Sequence, residues 1–213
     1  MASAMPTYSP AERRADAAVH GAGLLLAIGG GAALVRVSAL SGDIAAAAAV
    51  AVYAASLLAT FAASAAYNLL PWPARREALR RLDHAAIFIK IAGTYTPFCV
   101  LSLWDGPGRM LLLAVWTTAL VGASVKLAAP RRFEVGSILL YLALGWSFLP
   151  VAASAVEALP AASLWLLLGG GLLYTVGVAF HLWDSLPFQN AIWHGHVVAA
   201  SACMLAAIAV QLG

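Results

Sequence analysis

The sequence predicts an all-α membrane protein, a bundle of seven transmembrane helices with the N-terminus in the cytoplasm and the C-terminus outside. Three observations carry this reading. The chain is 63% hydrophobic and only 10% charged, against roughly 25% charged in soluble domains, and its mean hydropathy is +0.89. Apolar runs of the length needed to cross the hydrocarbon, about 20 residues, recur seven times. Basic residues fall in short clusters between the runs and favour one side. A chain of 213 residues cannot bury this much apolar surface in itself, so lipid must solvate it.

The first sixteen residues are polar and lack an apolar stretch followed by a small-residue cleavage site. Residues 1–16 therefore read as a cytoplasmic segment with no cleaved signal peptide, ahead of a single membrane domain over 17–213. The spans are predicted at 17–40, 44–70, 83–103, 108–127, 135–156, 161–182 and 191–212. The runs are rich in Ala and Leu and lack period-two alternation, which excludes strands. Turn chemistry separates them: LLPWPARRE, WDGPGR, APRRFE, EALPAAS and HLWDSLPFQ. Glycines within the runs, as at 29–31 and 169–171, favour close helix packing in lipid.

With seven spans, Arg13, Arg14, Arg75, Arg76, Arg80, Arg81, Lys126, Arg131 and Arg132 share one side, and only Arg36 and Arg109 fall on the other. Cytoplasmic loops collect positive charge, so the first side is inside. The basic clusters have no aromatic interleaving, and nucleic acid is not an expected partner; membrane lipids are. Cys99 and Cys203 lie in apolar runs and form no CxxC pair, so neither a disulfide framework nor a thiolate metal site is expected.

Polar residues gather at the cytoplasmic ends of the spans. His20 opens the first. Ser64 and Asn68 lie near the end of the second and share a face, being four apart. Asp83 and His84 open the third, about 100° apart around the helix. His181 and Asp184 close the sixth. Asn190 and His194 share a face of the seventh, whereas His196 points about 200° away from His194. Ionisable groups at membrane depth are costly and mark functional sites.

These residues resemble the haemolysin III family of bacterial membrane proteins, related to the progestin and adiponectin receptor superfamily. The match covers nearly the whole chain: Glu12-x7-His20, SAAYNL from Ser64, RRLDHAAIF from Arg80, AGTYTPF from Ala92, and AIWHG from Ala191 followed by Ser201. The resemblance implies an integral protein of the bacterial cytoplasmic (inner) membrane with a zinc ion near the cytoplasmic face. In the superfamily, zinc is held by one histidine of S-x3-H and two of H-x3-H, assisted by the serine and an aspartate. Members are implicated in hydrolysing lipid amides such as ceramide. Here Ser64 and Asp83 stand at the serine and aspartate positions, Asn68 and Asn190 replace two ligand histidines, and His194 remains. An amide oxygen is a weak zinc ligand beside an imidazole, so the family metal site reads as degenerate, with His20 or His84 as substitutes. Lys90 replaces a family aliphatic residue. It lies seven residues from Asp83 on one face, about 10 Å along the axis, where it could pair with Asp83.

Two functions compete. A lipid-binding or membrane-homeostasis protein with a degenerate metal site is favoured. The alternative is a zinc-dependent membrane hydrolase of lipid amides or esters, with Asp83 as base and Ser64 orienting the water. A pore-forming cytolysin ranks below both, because no helix carries a polar stripe to line a channel.

Overall fold

A computed structural model describes residues 8–129 and 134–213. Arg131 and Arg132, counted in the charge asymmetry, lie outside the described residues, as do the first seven residues of the N-terminal segment. Among the described residues, seven helices are long and apolar enough to cross a membrane: Pro10–Leu40, Ile44–Leu69, Pro73–Ser102, Gly108–Ala128, Glu134–Ala158, Ala161–His181 and Gln189–Leu212. They are called the first to seventh spans below.

The first span starts earlier than predicted. Ser9 Oγ accepts from Glu12 N at 3.2 Å, and a Glu12 carboxylate oxygen accepts from Ser9 N at 2.8 Å. Together with Pro10 in the first turn, this capping box fixes the start of the helix inside the polar segment. Residues 10–16 are thus the opening turns of the span, and Asp16 and His20 fall four apart on one face. Near mid-length the helix loosens into a π turn at Leu26–Gly30, where glycines weaken the regular ladder.

At the second span, Asp43 accepts from the Ala45 and Ala46 amides at 2.8 and 3.1 Å, capping the helix. The third span was expected to open at Asp83 but begins with a turn at Pro73–Arg75 and runs as α-helix over Arg76–Ser102. Asp83 and His84 are therefore two turns inside it. The charged stretch stays helical because Glu77 meets Arg80 at 3.3 Å and Arg81 at 3.8 Å, three and four residues on. Arg80 also reaches Glu134 of the fifth span at 3.2 Å.

The fifth span, predicted as one run, is broken. Helix Glu134–Gly145 gives way to a short turn at Leu149–Val151 before Ala152–Ala158. Pro150 cannot donate to a helical ladder. Tyr95 Oη donates to Gly145 O at 2.8 Å and accepts from Phe148 N at 3.1 Å, so a side chain of the third span satisfies backbone freed by the break.

The second, third and seventh spans contribute Tyr53, Leu57, Phe61, Phe98, Met204 and Ile208 to one buried apolar cluster, and the closest helix pairings are sixth with seventh, second with third and third with fourth. A second cluster joins the third, fourth and fifth spans through Phe88, Ala92, Val115, Ala119 and Leu144. Gly93 lets the third span lie against Ser56 of the second, where a Cβ would come within 2.7 Å of Ser56 Cβ. The described part of the fifth span packs sparsely on the rest, and a cavity of about 1370 Å³ opens alongside it.

Candidate functional site

His20 and His194 stack with ring centroids 4.3 Å apart, from the first and seventh spans. Each ring is oriented by its own helix. His20 Nδ1 donates to Asp16 O at 2.8 Å, and His194 Nδ1 donates to Asn190 O at 2.9 Å. In a neutral imidazole so bonded, Nε2 carries the lone pair. Both Nε2 atoms lie 3.2 Å from Ser64 Oγ of the second span. A serine hydroxyl has one proton to give, so it serves only one of the two rings. The other lone pair converges on oxygen, an arrangement completed by a cation or a further proton.

Behind the rings, Asp16 Oδ1 lies 3.3 Å from His20 Nδ1 and 3.4 Å from His194 Nδ1. The ligand atoms of Asp16, His20 and His194 all fall within 4.8 Å of one another. His20 is 1% exposed and Ser64 is buried. The two Nε2 lone pairs beside Ser64 Oγ supply nitrogen donors of the kind zinc takes, and Asp16 stands behind their Nδ1–H edges, where a carboxylate is the usual support for a metal-bound ring. The donor set fits a divalent transition metal.

The three-position set implied by the resemblance does not. Asn68 Nδ2 donates to Ser64 O at 2.9 Å, while Asn190 Nδ2 donates to Asp16 Oδ1 at 2.9 Å and Asn68 Oδ1 at 3.3 Å. The amides are spent on one another and on Asp16, so they act as a hydrogen-bonded frame. Of the two substitute histidines, His20 joins His194 and His84 does not: His84 Nδ1 bonds Arg80 O at 2.8 Å, and the ring faces Tyr67 at 6.5 Å. His196 packs on Phe180 with centroids 4.8 Å apart, away from the cluster.

Asp83 borders the cluster, within electrostatic reach of His84, His194, Ser64 and His20, and lines the cavity with Asn68, His84, Asn190 and His194. Of the residues expected to share a pocket, Asn68, Asp83, Asn190 and His194 line the cavity, and Ser64 meets His194 and Asn68 through hydrogen bonds. Asp16 was missed, because it lay in the segment read as a polar tail; the Asp16–His20 spacing of four was the available signal. Whether Lys90 pairs with Asp83 was open in the sequence, and no ion pair joins them among the described residues. Lys90 is 6% exposed, and its Nζ donates to Tyr174 Oη and, at 2.7 Å, to Ser201 Oγ, deeper in the bundle. Those hydroxyls lie on the sixth and seventh spans, within reach of a side chain extended sideways from the helix.

The mouth of the site is tied together from two ends of the chain. Glu12 accepts from Phe188 N at 3.0 Å, and Phe188 enters the seventh span in a left-handed conformation with φ of 60°. This contact holds the helix carrying Asp16 and His20 against the one carrying His194.

The family model described as haemolysin-III related matches residues 12–205. The chain is 37% identical over 193 residues to Hemolysin-3 of Bacillus cereus, covering 91% of this chain and 88% of that one. It is 35% identical to the Hemolysin-3 homolog of Bacillus subtilis strain 168, covering 91% of each. A human protein, monocyte to macrophage differentiation factor, is 29% identical over 159 residues, 71% of this chain and 65% of that one. No solved structure matches significantly. Seven apolar spans, a polar cluster shared by the first, second and seventh, and a family match over nearly the whole length lead to one statement: the chain belongs to the haemolysin-III-related family of integral membrane proteins.

Proposed function

We propose that this protein takes a lipid amphiphile into its cavity and hydrolyses an acyl bond, amide or ester, at a metal centre held by the Nε2 atoms of His20 and His194 beside Ser64, with Asp16 bracing both rings from behind. The observation that carries the reading is the convergence of two imidazole Nε2 atoms on Ser64 Oγ, backed by one carboxylate at both Nδ1 edges. Zinc in such a donor set supplies a bound water acidified toward neutrality and a Lewis acid for the carbonyl. The chain's own groups do the rest. Ser64 holds a proton between the two rings and would orient the water, and Asp83 would accept the water's proton as general base and return it to the departing amine or alcohol as the acyl bond breaks, leaving a carboxylic acid. Asn190 fixes Asp16 by a hydrogen bond and is itself held by Asn68, and the apolar cavity seats the acyl chain and limits water. The basic clusters favour a cytoplasmic N-terminus, which would set this centre near the inner face of a bacterial cytoplasmic membrane.

Elemental analysis of detergent-purified protein tests the centre. About one zinc per chain is expected, as in single-metal hydrolytic sites, lost in H20A and H194A but kept in N68A. Turnover of a fluorescent ceramide analogue should fall with the metal. Metal-free wild type, or loss in N68A equal to that in H20A, would refute this donor set. A second reading, amphiphile binding without chemistry, is favoured by the two asparagines standing at family ligand positions. It predicts tight binding of the ceramide analogue with neither zinc nor turnover.

A further inference from the structure

We propose that Lys90 anchors the head group of a single-chain carboxylate amphiphile in the deep part of the cavity, a site separate from the histidine cluster. Lys90 and Tyr174 both line the cavity, with Phe98, Leu164, Leu167 and Met204 supplying apolar wall around them. The lysine nitrogen spends two N–H groups on Tyr174 and Ser201, and its third has no acceptor among the described residues. It lies over the Phe61 and Tyr174 rings, at 5.5 and 4.5 Å from their centroids. No carboxylate among the described residues is within ion-pair distance of it, Asp83 included.

An ammonium in an apolar interior without a counter-anion is costly. Rings and hydroxyls offset part of that cost, and a bound anion would offset far more. One cation with two neutral hydroxyls balances a monoanion. A phosphate dianion would leave charge uncompensated, so carboxylate is the matching head group. The apolar wall then takes the chain. Ser201 Oγ, already donating to Val197 O at 2.7 Å, holds the lysine in place and leaves the free N–H for the ligand.

The inference rests on the cavity taking an amphiphile, but not on metal or turnover. Palmitate, hexadecanol and hexadecyl phosphate are titrated into chelator-dialysed protein in detergent, so failure of the metal centre leaves the result standing. Wild type should bind palmitate roughly tenfold or more tighter than hexadecanol, the scale of one charge-assisted contact. K90M should lose that preference while binding hexadecanol as wild type does; K90Q replaces it if K90M fails to bind hexadecanol. Equal binding of palmitate and hexadecanol by wild type overturns the proposal. So does a preference persisting in a variant, or hexadecyl phosphate binding more tightly than palmitate.

Discussion

Gly93→Ala tests how closely the second and third spans must approach for the site to exist. The new methyl would lie 2.7 Å from Ser56 Cβ and 3.5 Å from Val52 O, and would also strike Ser56 Oγ. Rotating Ser56 moves its hydroxyl but not its Cβ, so the helices must separate by about 0.7 Å to reach ordinary contact at 3.4 Å. Overpacking of this kind costs about 1–3 kcal/mol, against which alanine's better helix propensity returns up to about 1 kcal/mol. We expect a net loss of about 1–2 kcal/mol, read by reversible unfolding in mixed micelles. Ser56→Gly removes the obstructing carbon, so S56G/G93A should show favourable coupling of about 1 kcal/mol. Ser56→Ala leaves that carbon and should rescue little. A G93A protein as stable as wild type, or equal rescue by S56A and S56G, would refute the argument. Separation of these spans would also shift Ser64 relative to Asp83, so turnover should weaken in G93A and return in S56G/G93A while the metal is retained.

Asp43→Ala removes the acceptor of two amides at the start of the second span and should cost about 1 kcal/mol, with D43N keeping most of it; unfolding in micelles reads both. Ser163, fully buried, donates to Ala207 O at 2.7 Å between the sixth and seventh spans. S163A should cost about 0.6 kcal/mol, the typical size of such bonds between membrane helices, and a loss above about 2 kcal/mol would exceed it. Zinc at roughly 100 times its dissociation constant should stabilise wild type by about 2.7 kcal/mol, with no stabilisation in H20A/H194A. An equal thermal shift in that double variant would place the ion elsewhere.

Hydropathy and turn residues were enough to find all seven spans, because lipid imposes length and apolarity on each helix separately. Helix ends outside the hydrocarbon were harder. At Ser9–Glu12 and Arg76–Arg81, side-chain caps and ion pairs extend helices through polar sequence that hydropathy reads as tail or loop. The break at Pro150 was visible as a proline, but not the Tyr95 side chain that makes it tolerable. In the candidate site, spacing and resemblance pointed to Ser64, Asn68, Asp83, Asn190 and His194, with His20 or His84 as substitutes. Asp16 was not, since its role depends on the first helix starting early enough to aim it at the seventh. The partners of Lys90 were also hidden, because sequence spacing relates positions along one helix and says nothing of hydroxyls offered by two others.

Glu12 serves two masters. One carboxylate group both closes the opening turn of its own helix and receives the amide that starts the last one. The donor cluster is thereby fastened by a clasp at the very rim of the protein, well clear of the chemistry. A bulky fusion joined immediately ahead of Ser9 would pull on that clasp, and through it on the alignment of Asp16 with His194, while every span stayed intact.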